Sequence, residues 1–191
     1  MVNRVAHGYL PGRSTIIGVQ VSRSMQVVLG LGGNRGEVAA AFAAAAGALA
    51  SRFRLLGHSS VWRSVPLGPP QPDFLNAALL LDVDVDPHRL LAICQGLEVV
   101  AGRCRELETR DGPRTLDLDI LLVRGVVVVS PALAVPHPRL AVRRFALLPA
   151  SEVAPGWEHP RVHRSLSDLA ATVYGERQEC QRVAPFPEVR R

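Results

Sequence analysis

Two aspartates separated by one residue, Asp117 and Asp119, are the pair in this chain whose type and spacing point most directly to chemistry. They lie in an apolar run that predicts a β-strand, and alternate side chains of a strand point to the same face, so the two carboxylates share one side. Adjacent carboxylates repel each other unless a cation lies between them, and Mg²⁺ is commonly held by one or two carboxylates together with phosphate oxygens. Arg114, just upstream, offers a planar set of donors that suits phosphate. The pattern predicts a metal-assisted reaction of a phosphate compound, whereas a bare D-x-D is more often a pair of solvated surface charges.

The segments around this run predict the elements that must position the aspartates. Apolar, strand-like runs alternate with helical segments, and glycine and proline clusters separate them. The glycine-rich segment 32–36 is interpreted as a turn between the first strand and the first helix. The order β-α-β-β-α-β predicts an α+β fold of the ferredoxin-like type, an antiparallel sheet with helices packed on it. The predicted strands are 26–31, 53–62, 74–83 and 115–123, and the predicted helices are 37–50 and 87–101.

Length and charge indicate the number of domains and the kind of partner. The chain has 191 residues and a net charge of +5, and all 22 basic residues are arginine. This length suits one domain, which we place at 25–175, after an extension at 1–24 and before a tail at 176–191 that is expected to be loose from Ala184. Met25 is a second possible start of translation. The basic balance fits a partner rich in phosphate, either a nucleotide or a nucleic acid.

Cysteine usage and hydropathy predict the compartment. The three cysteines contain no C-x-x-C pair, which argues against a zinc or redox motif and favours a reducing cytoplasm. No stretch of about 18 apolar residues occurs, so no transmembrane helix is expected. The first 24 residues lack the apolar core of a signal peptide. We therefore expect a cytoplasmic protein without a membrane partner.

Several ordered blocks of the chain, which together span about residues 25–160, resemble the 6-hydroxymethyl-7,8-dihydropterin pyrophosphokinases. The resemblance implies a ferredoxin-like fold and transfer of the terminal diphosphoryl group of ATP to the pterin hydroxymethyl oxygen, which yields AMP and the pterin diphosphate in folate biosynthesis. It also implies a monomer that acts on small molecules. The blocks are L-G-L-G-G-N at 29–34, V-W-R-S-V-P-L-G-P at 61–69 followed by F-L-N-A-A at 74–78, G-P-R-T-L-D-L-D-I-L-L at 112–122, and V-P-H-P at 135–138.

The second block contains the residue types that a pterin needs. A planar heterocycle is bound by an aromatic face and by an amide that forms paired hydrogen bonds. Phe74 and Asn76 lie two residues apart on a predicted strand and therefore share a face, although Phe74 alone would equally suit a core position. Family members often have proline at position 65 and tyrosine at position 74. The resemblance assigns pterin binding to Ser64, Val65, Leu67, Phe74, Asn76 and Phe145.

The remaining blocks carry the residues that the resemblance assigns to ATP and catalysis. Two Mg²⁺ ions are expected on Asp117 and Asp119, with Arg103 and Arg114 as catalytic charge stabilisers. Without the resemblance, the helix face that carries Gln95 and Glu98 and the arginine-rich loop after it would be read as solvated surfaces. The chain departs from some relatives at Glu106 and Asp111 in that loop. The implied ATP-binding residues are Gln95, Glu98, Arg105, Arg110, Arg114, Ile120, His137 and Arg143.

Two other functions remain open from the sequence. A basic ferredoxin-like sheet also suits an RNA-binding module, but such a module needs exposed aromatic side chains on the sheet, and only 5% of the residues are aromatic. A degenerate relative that binds nucleotide without turnover is the second alternative. The presence of Asp117, Asp119, Arg114 and Asn76 argues against it, so we expect a nucleotide substrate and no nucleic-acid partner.

Overall fold

A six-stranded antiparallel sheet organises the computed structural model, which describes residues 24–104, 112–173 and 179–189. The elements in chain order are β1 (Met25–Gly33), α1 (Val38–Ala50), β2 (Arg54–His58), β3 (Val61–Ser64), β4 (Phe74–Val83), α2 (Pro87–Val100), β5 (Asp117–Val123), β6 (Val128–Val129), β7 (Ala134–Val135), a 3₁₀ helix (Leu140–Val142), α3 (Arg144–Val153), β8 (Glu158–His159), β9 (Arg164–Ser165), α4 (Leu166–Thr172) and β10 (Cys180–Ala184).

The strand order confirms the predicted α+β, ferredoxin-like arrangement. The sheet runs β10-β3-β4-β1-β5, and β2 also pairs with β4. The second predicted strand, 53–62, is broken into β2 and β3 at Ser59 and Ser60. The break is stabilised because the Ser59 backbone N–H donates to the Ala78 carbonyl at 2.9 Å and its hydroxyl accepts from the Ala78 N–H at 2.8 Å.

The glycine-rich segment 32–36 is the main element that the sequence interpretation placed wrongly. Gly32 and Gly33 belong to β1, and only Asn34 to Gly36 form the turn, where Gly36 has a φ of +70°. The strand continues because β1 is hydrogen-bonded on both sides, to β4 and to β5, and these long-range pairs override the weak strand propensity of glycine. Gly33 also allows a close approach, since a Cβ there would lie 2.6 Å from the Thr115 carbonyl oxygen.

The sheet separates two apolar clusters. On one face, Leu29 and Leu31 of β1 pack with Phe42 of α1 and Leu90 of α2. On the other face, the apolar side chains include Val28, Ala78, Leu121, Leu147 and Leu166, so α3 and α4 cover that side. The even-numbered residues of β1 therefore lie on the face that α3 covers.

The C-terminal segment is part of the fold. Strand β10 pairs with β3, and the ring of Phe186 is buried and stacks on His58 at 4.9 Å and on Phe42 at 6.4 Å between centroids. The expectation of a loose tail from Ala184 is therefore wrong through residue 189, because a buried aromatic side chain fastens it. The boundaries at residues 24 and 175 stay predictions.

The helices within the described ranges are α1 to α4 and one short 3₁₀ helix. None of them combines the length and the apolar character that a bilayer-crossing helix requires.

Candidate active site

The floor of a cavity on the α3 face of the sheet is formed by residues that lie side by side on three strands. Gly32 of β1 is the direct neighbour of Asn76 of β4 and of Asp117 of β5, and Gly30 is the neighbour of Asp119. A Cβ at Gly32 would lie 3.7 Å from Asn76 Oδ1 and 3.8 Å from Asp117 Cβ. Gly32 therefore leaves open the space between the amide and the Asp117 carboxylate, a role that the turn interpretation missed because strand register cannot be read from one sequence.

The six residues predicted to bind the pterin all line this single cavity, whose volume is about 110 Å³. Asn76 and Ser64 are both buried, and Asn76 Nδ2 donates to Ser64 Oγ at 2.9 Å, which fixes the orientation of the amide. The other walls come from the segment after β3, from the start of β4 and from the first turn of α3. These six residues are Ser64, Val65, Leu67, Phe74, Asn76 and Phe145.

Asp117 and Asp119 share the cavity face, as the strand alternation predicted, while Leu118 and Ile120 are buried in the opposite core cluster. Arg103 forms an ion pair with Asp117 Oδ1, and Arg114 Nη1 binds Asp117 Oδ2 at 2.9 Å. Burial alone would raise the pKa of Asp117, but these two guanidinium groups outweigh it and hold the pKa below its ordinary value. Asp117 is therefore ionised and already faces the two predicted catalytic arginines.

The second carboxylate has the opposite electrostatic environment. Burial, followed by the negative charges of Asp117 and Glu98, raises the pKa of Asp119 to about 6, although Arg143 and Arg103 oppose the shift. Within the described ranges, no group of three or more His, Cys, Asp or Glu side chains could hold a metal ion, so the protein offers a pair of carboxylates. Such a donor set fits Mg²⁺, which usually completes its shell with water and phosphate oxygens.

Glu98 is buried to 1% exposure, unlike a residue on a solvated helix face. Its Oε1 accepts from the Leu118 N–H at 2.8 Å and binds Arg103 Nη1 at 2.8 Å. It thus holds β5 and Arg103 in place. The helical spacing of Leu90, Cys94 and Glu98, which are four residues apart and form the buried stripe of α2, is the sequence signal that could have identified this role.

The other residues assigned to ATP lie in different surroundings, and two of them fall outside the described ranges. Gln95 is exposed on α2, and Ile120 is 3% exposed in the core, so only its main chain could reach a nucleotide. The backbone N–H of His137 donates to the Leu121 carbonyl at 2.8 Å, and burial together with Arg143 and Arg139 lowers the pKa of His137 to about 4. Arg143 lines the cavity. Arg105 and Arg110, as well as Glu106 and Asp111, lie outside the described residues.

Comparisons with known proteins agree with this geometry. A family model described as 7,8-dihydro-6-hydroxymethylpterin-pyrophosphokinase (HPPK) matches residues 28–155. A 2-amino-4-hydroxy-6-hydroxymethyldihydropteridine pyrophosphokinase of Synechocystis is 38% identical over 160 residues, which cover 83% of this chain and 78% of the relative. The enzyme of the same name from Methylorubrum extorquens is 41% identical over 130 residues, which cover 66% of this chain and 81% of the relative.

Solved structures show the same fold. The Plasmodium falciparum HPPK-DHPS A437G protein with pteroate superposes with a TM-score of 0.60 at 12% identity and covers 82% of this chain. The chain spans 44% of the length of that protein, so only the shared domain is compared. Because the family match covers most of the fold and the whole cavity floor, the chain belongs to the 7,8-dihydro-6-hydroxymethylpterin-pyrophosphokinase family, whose members transfer a pyrophosphoryl group to hydroxymethyldihydropterin in folate biosynthesis.

Proposed function

We propose that this chain transfers the diphosphoryl group of ATP to the hydroxymethyl oxygen of 6-hydroxymethyl-7,8-dihydropterin, in a Mg²⁺-dependent reaction that releases AMP and the pterin diphosphate. The observation that carries the proposal is the row Asn76, Gly32 and Asp117 across three neighbouring strands. An amide and a carboxylate lie at opposite ends of one open floor, which supports pterin recognition at one end and metal binding at the other. A substrate with a planar ring and a reactive hydroxymethyl group would span such a floor.

The pterin end of the cavity offers shape and polar recognition. Phe74 and Phe145 line the cavity and supply the two aromatic faces between which a planar ring would stack. Asn76 Nδ2 is engaged by Ser64, and its Oδ1 lies on the Gly32 side of the floor. That oxygen is the acceptor that we assign to the N–H groups on the pterin edge.

Asp117 and Asp119 are the residues that would hold Mg²⁺. When bound, Mg²⁺ offsets the charge of the phosphate oxygens and orients them for in-line displacement. The fit rests on the pair itself: the raised pKa of Asp119 reflects burial first and repulsion from Asp117 second, and a cation between the two carboxylates would relieve that repulsion. Two ions, as the resemblance implies, remain part of the proposal.

Arg103 and Arg114 are the residues that we assign to the transferring diphosphoryl group. Both guanidinium groups lie against Asp117, and that of Arg114 also lies 6.0 Å from the centroid of the Phe74 ring, between the two ends of the site. Positively charged donors in a site that excludes water stabilise charge as it develops on phosphoryl oxygens. The buried Glu98 carboxylate keeps Arg103 at this position, so little reorganisation is needed when ATP arrives.

One assay separates the proposal from its alternatives. The purified chain is incubated with ATP, Mg²⁺ and the pterin alcohol, and AMP is quantified. We expect AMP and pterin diphosphate in equal amounts. A protein that binds ATP but releases no AMP would be a degenerate relative. If no ATP binds and a single-stranded RNA oligonucleotide does, the RNA-binding alternative is favoured instead.

We further propose that the enzyme acts as a monomer in the cytoplasm. Cys94, Cys104 and Cys180 carry free thiols, as is usual in a reducing compartment. Sedimentation and cell fractionation would test these two points.

A further inference from the structure

Asn34, the first residue after β1, is 9% exposed, and its side chain joins two loops that are distant in sequence. Its Oδ1 accepts from the Arg114 backbone N–H at 2.9 Å. Its Nδ2 donates to Gln71 Oε1 and to the Pro72 carbonyl, both at 2.9 Å. In addition, the Asn34 N–H donates to the Arg114 carbonyl at 2.9 Å. A single amide group therefore holds both loops at once.

The two loops serve different ends of the site. Residues 65–73, here called the 65–73 loop, contribute Val65 and Leu67 to the cavity and lead directly into Phe74. The other loop leads into β5, where Arg114 binds Asp117. The 65–73 loop thus belongs to the pterin end, and Arg114 belongs to the phosphate end.

The hydrogen bonds of the Asn34 amide hold the 65–73 loop more strongly than the exposed ion pair between Arg63 and Asp73 does. Arg63 and Asp73 approach to 3.8 Å, but their side chains are 51% and 45% exposed, and exposed ion pairs contribute little to stability. The hydrogen bonds of Asn34 are short and part-buried, and polar groups that are shielded from water lose most when a partner is removed. Among these described contacts, the Asn34 amide joins the two loops directly.

We propose that Asn34 is a positioning residue that couples pterin binding to ATP binding. Ordering of the Arg114 loop by the nucleotide fixes Asn34, which in turn holds the 65–73 loop in the form that binds the pterin. By thermodynamic linkage, each substrate then raises the affinity for the other by the same factor. The inference rests on the proposed function, because it needs both substrates to bind this site.

An aspartate at position 34 distinguishes the hydrogen bond to the Arg114 N–H from the hydrogen bonds to the 65–73 loop. Asn34→Asp keeps an oxygen that can accept from the Arg114 N–H, but it places a second oxygen against Gln71 Oε1 and the Pro72 carbonyl. The new oxygen repels the Pro72 carbonyl oxygen, and Gln71 must rotate its amide to donate instead, so the link to the 65–73 loop is weakened while the link to Arg114 remains. Asn34→Ala removes both links.

The experiment measures the pterin Kd by calorimetry with Mg²⁺, with and without α,β-methylene-ATP, which occupies the nucleotide site without turnover. The coupling ratio is the Kd without the analogue divided by the Kd with it. We expect a ratio well above 1 in the wild type and a decrease of roughly fivefold or more in Asn34→Asp and Asn34→Ala. In steady-state assays, kcat/KM for the pterin should fall more than kcat does.

Matched variants decide between coupling and a general loss of structure. Gln26→Ala removes a 3.0 Å side-chain bond to Arg124, away from the cavity, and should leave the ratio unchanged. If both Asn34 variants fail to fold, Gln71→Ala, which removes one acceptor of Nδ2, must lower the ratio by itself. A wild-type ratio of 1, or an unchanged ratio in folded Asn34→Asp or in Gln71→Ala, would overturn the inference. A wild type that binds neither ligand would instead refute the proposed function together with the coupling built on it.

Discussion

Replacing Gly32 by alanine adds one methyl group to the floor of the cavity, between Asn76 and Asp117. The new Cβ would lie 3.7 Å from Asn76 Oδ1 and 3.8 Å from Asp117 Cβ, which are ordinary contact distances, so the protein can accept it without moving. Alanine in a strand is also favoured over glycine by about 0.5–1 kcal/mol. The free energy of unfolding of Gly32→Ala should therefore be unchanged or slightly higher.

The substrate should be affected much more than the fold. A substrate group in contact with the Gly32 Cα would be displaced by about 1 Å or more by the methyl group. A misplacement of about 1 Å at the reacting centre costs roughly 10²-fold in rate. We therefore expect kcat for AMP release to fall by about 10²-fold and the pterin KM to rise, while the melting temperature is retained.

Gly57→Ala is the matched control for this prediction. Gly57 also lies in a strand of the same sheet, but a Cβ there meets nothing within 4 Å. Its AMP release should equal that of the wild type. Normal kcat and KM in Gly32→Ala would show that the substrate does not cross this floor, and unfolding of Gly32→Ala would show that the contact geometry is wrong.

Three further substitutions test the supporting structure. Gly33→Ala places a Cβ 2.6 Å from the Thr115 carbonyl oxygen, so urea unfolding should show a loss of about 1–3 kcal/mol, and an unchanged midpoint would contradict this close approach. Glu98→Ala leaves the Leu118 N–H without its acceptor and Arg103 with Asp117 but without Glu98, so the free energy of unfolding should fall by about 1–3 kcal/mol together with kcat; a loss below about 1 kcal/mol would mean that Glu98 does not anchor Arg103. Burial and neighbouring arginines lower the pKa of His137 from 6.5 in the unfolded chain to about 4 in the folded protein. As the pH falls, the unfolded chain therefore binds the proton first, and the stability of the fold that is present above pH 6.5 is lost toward pH 4. Unfolding of His137→Gln should therefore depend less on pH than that of the wild type over this range, and equal slopes would count against the burial of the neutral ring.

Local sequence patterns predicted most of the fold because they reflect local chemistry. The third predicted strand, 74–83, agrees with β4. Pro87 begins α2 as predicted, and Asp86, the residue before it, accepts hydrogen bonds from the N–H groups of His88 and Arg89. The side chains of Asp117 and Asp119 share a face because a strand alternates, whatever it pairs with. These features need no knowledge of distant residues.

The features that sequence reasoning missed depend on distant partners. Gly32 is part of a strand because β4 and β5 pair with it, and its role in the floor follows from that register. The helical spacing of Glu98 with Leu90 and Cys94 signals its burial, but its partners, Arg103 and the Leu118 N–H, depend on the fold. Phe186 is buried because Phe42 and His58 stack against it, so a segment rich in proline proved to be ordered.

The central claim is that Asp117 and Asp119, at one end of the glycine floor, support transfer of a diphosphoryl group. The most direct measurement is ³¹P NMR of ATP, Mg²⁺ and the pterin alcohol incubated with the wild type and with an Asp117→Asn, Asp119→Asn double variant, each shown to be folded by its melting curve. We expect AMP and pterin diphosphate from the wild type in equal amounts, no product when Mg²⁺ is chelated, and almost no product from the double variant. Formation of ADP in place of AMP, or a double variant that retains the wild-type rate, would contradict it.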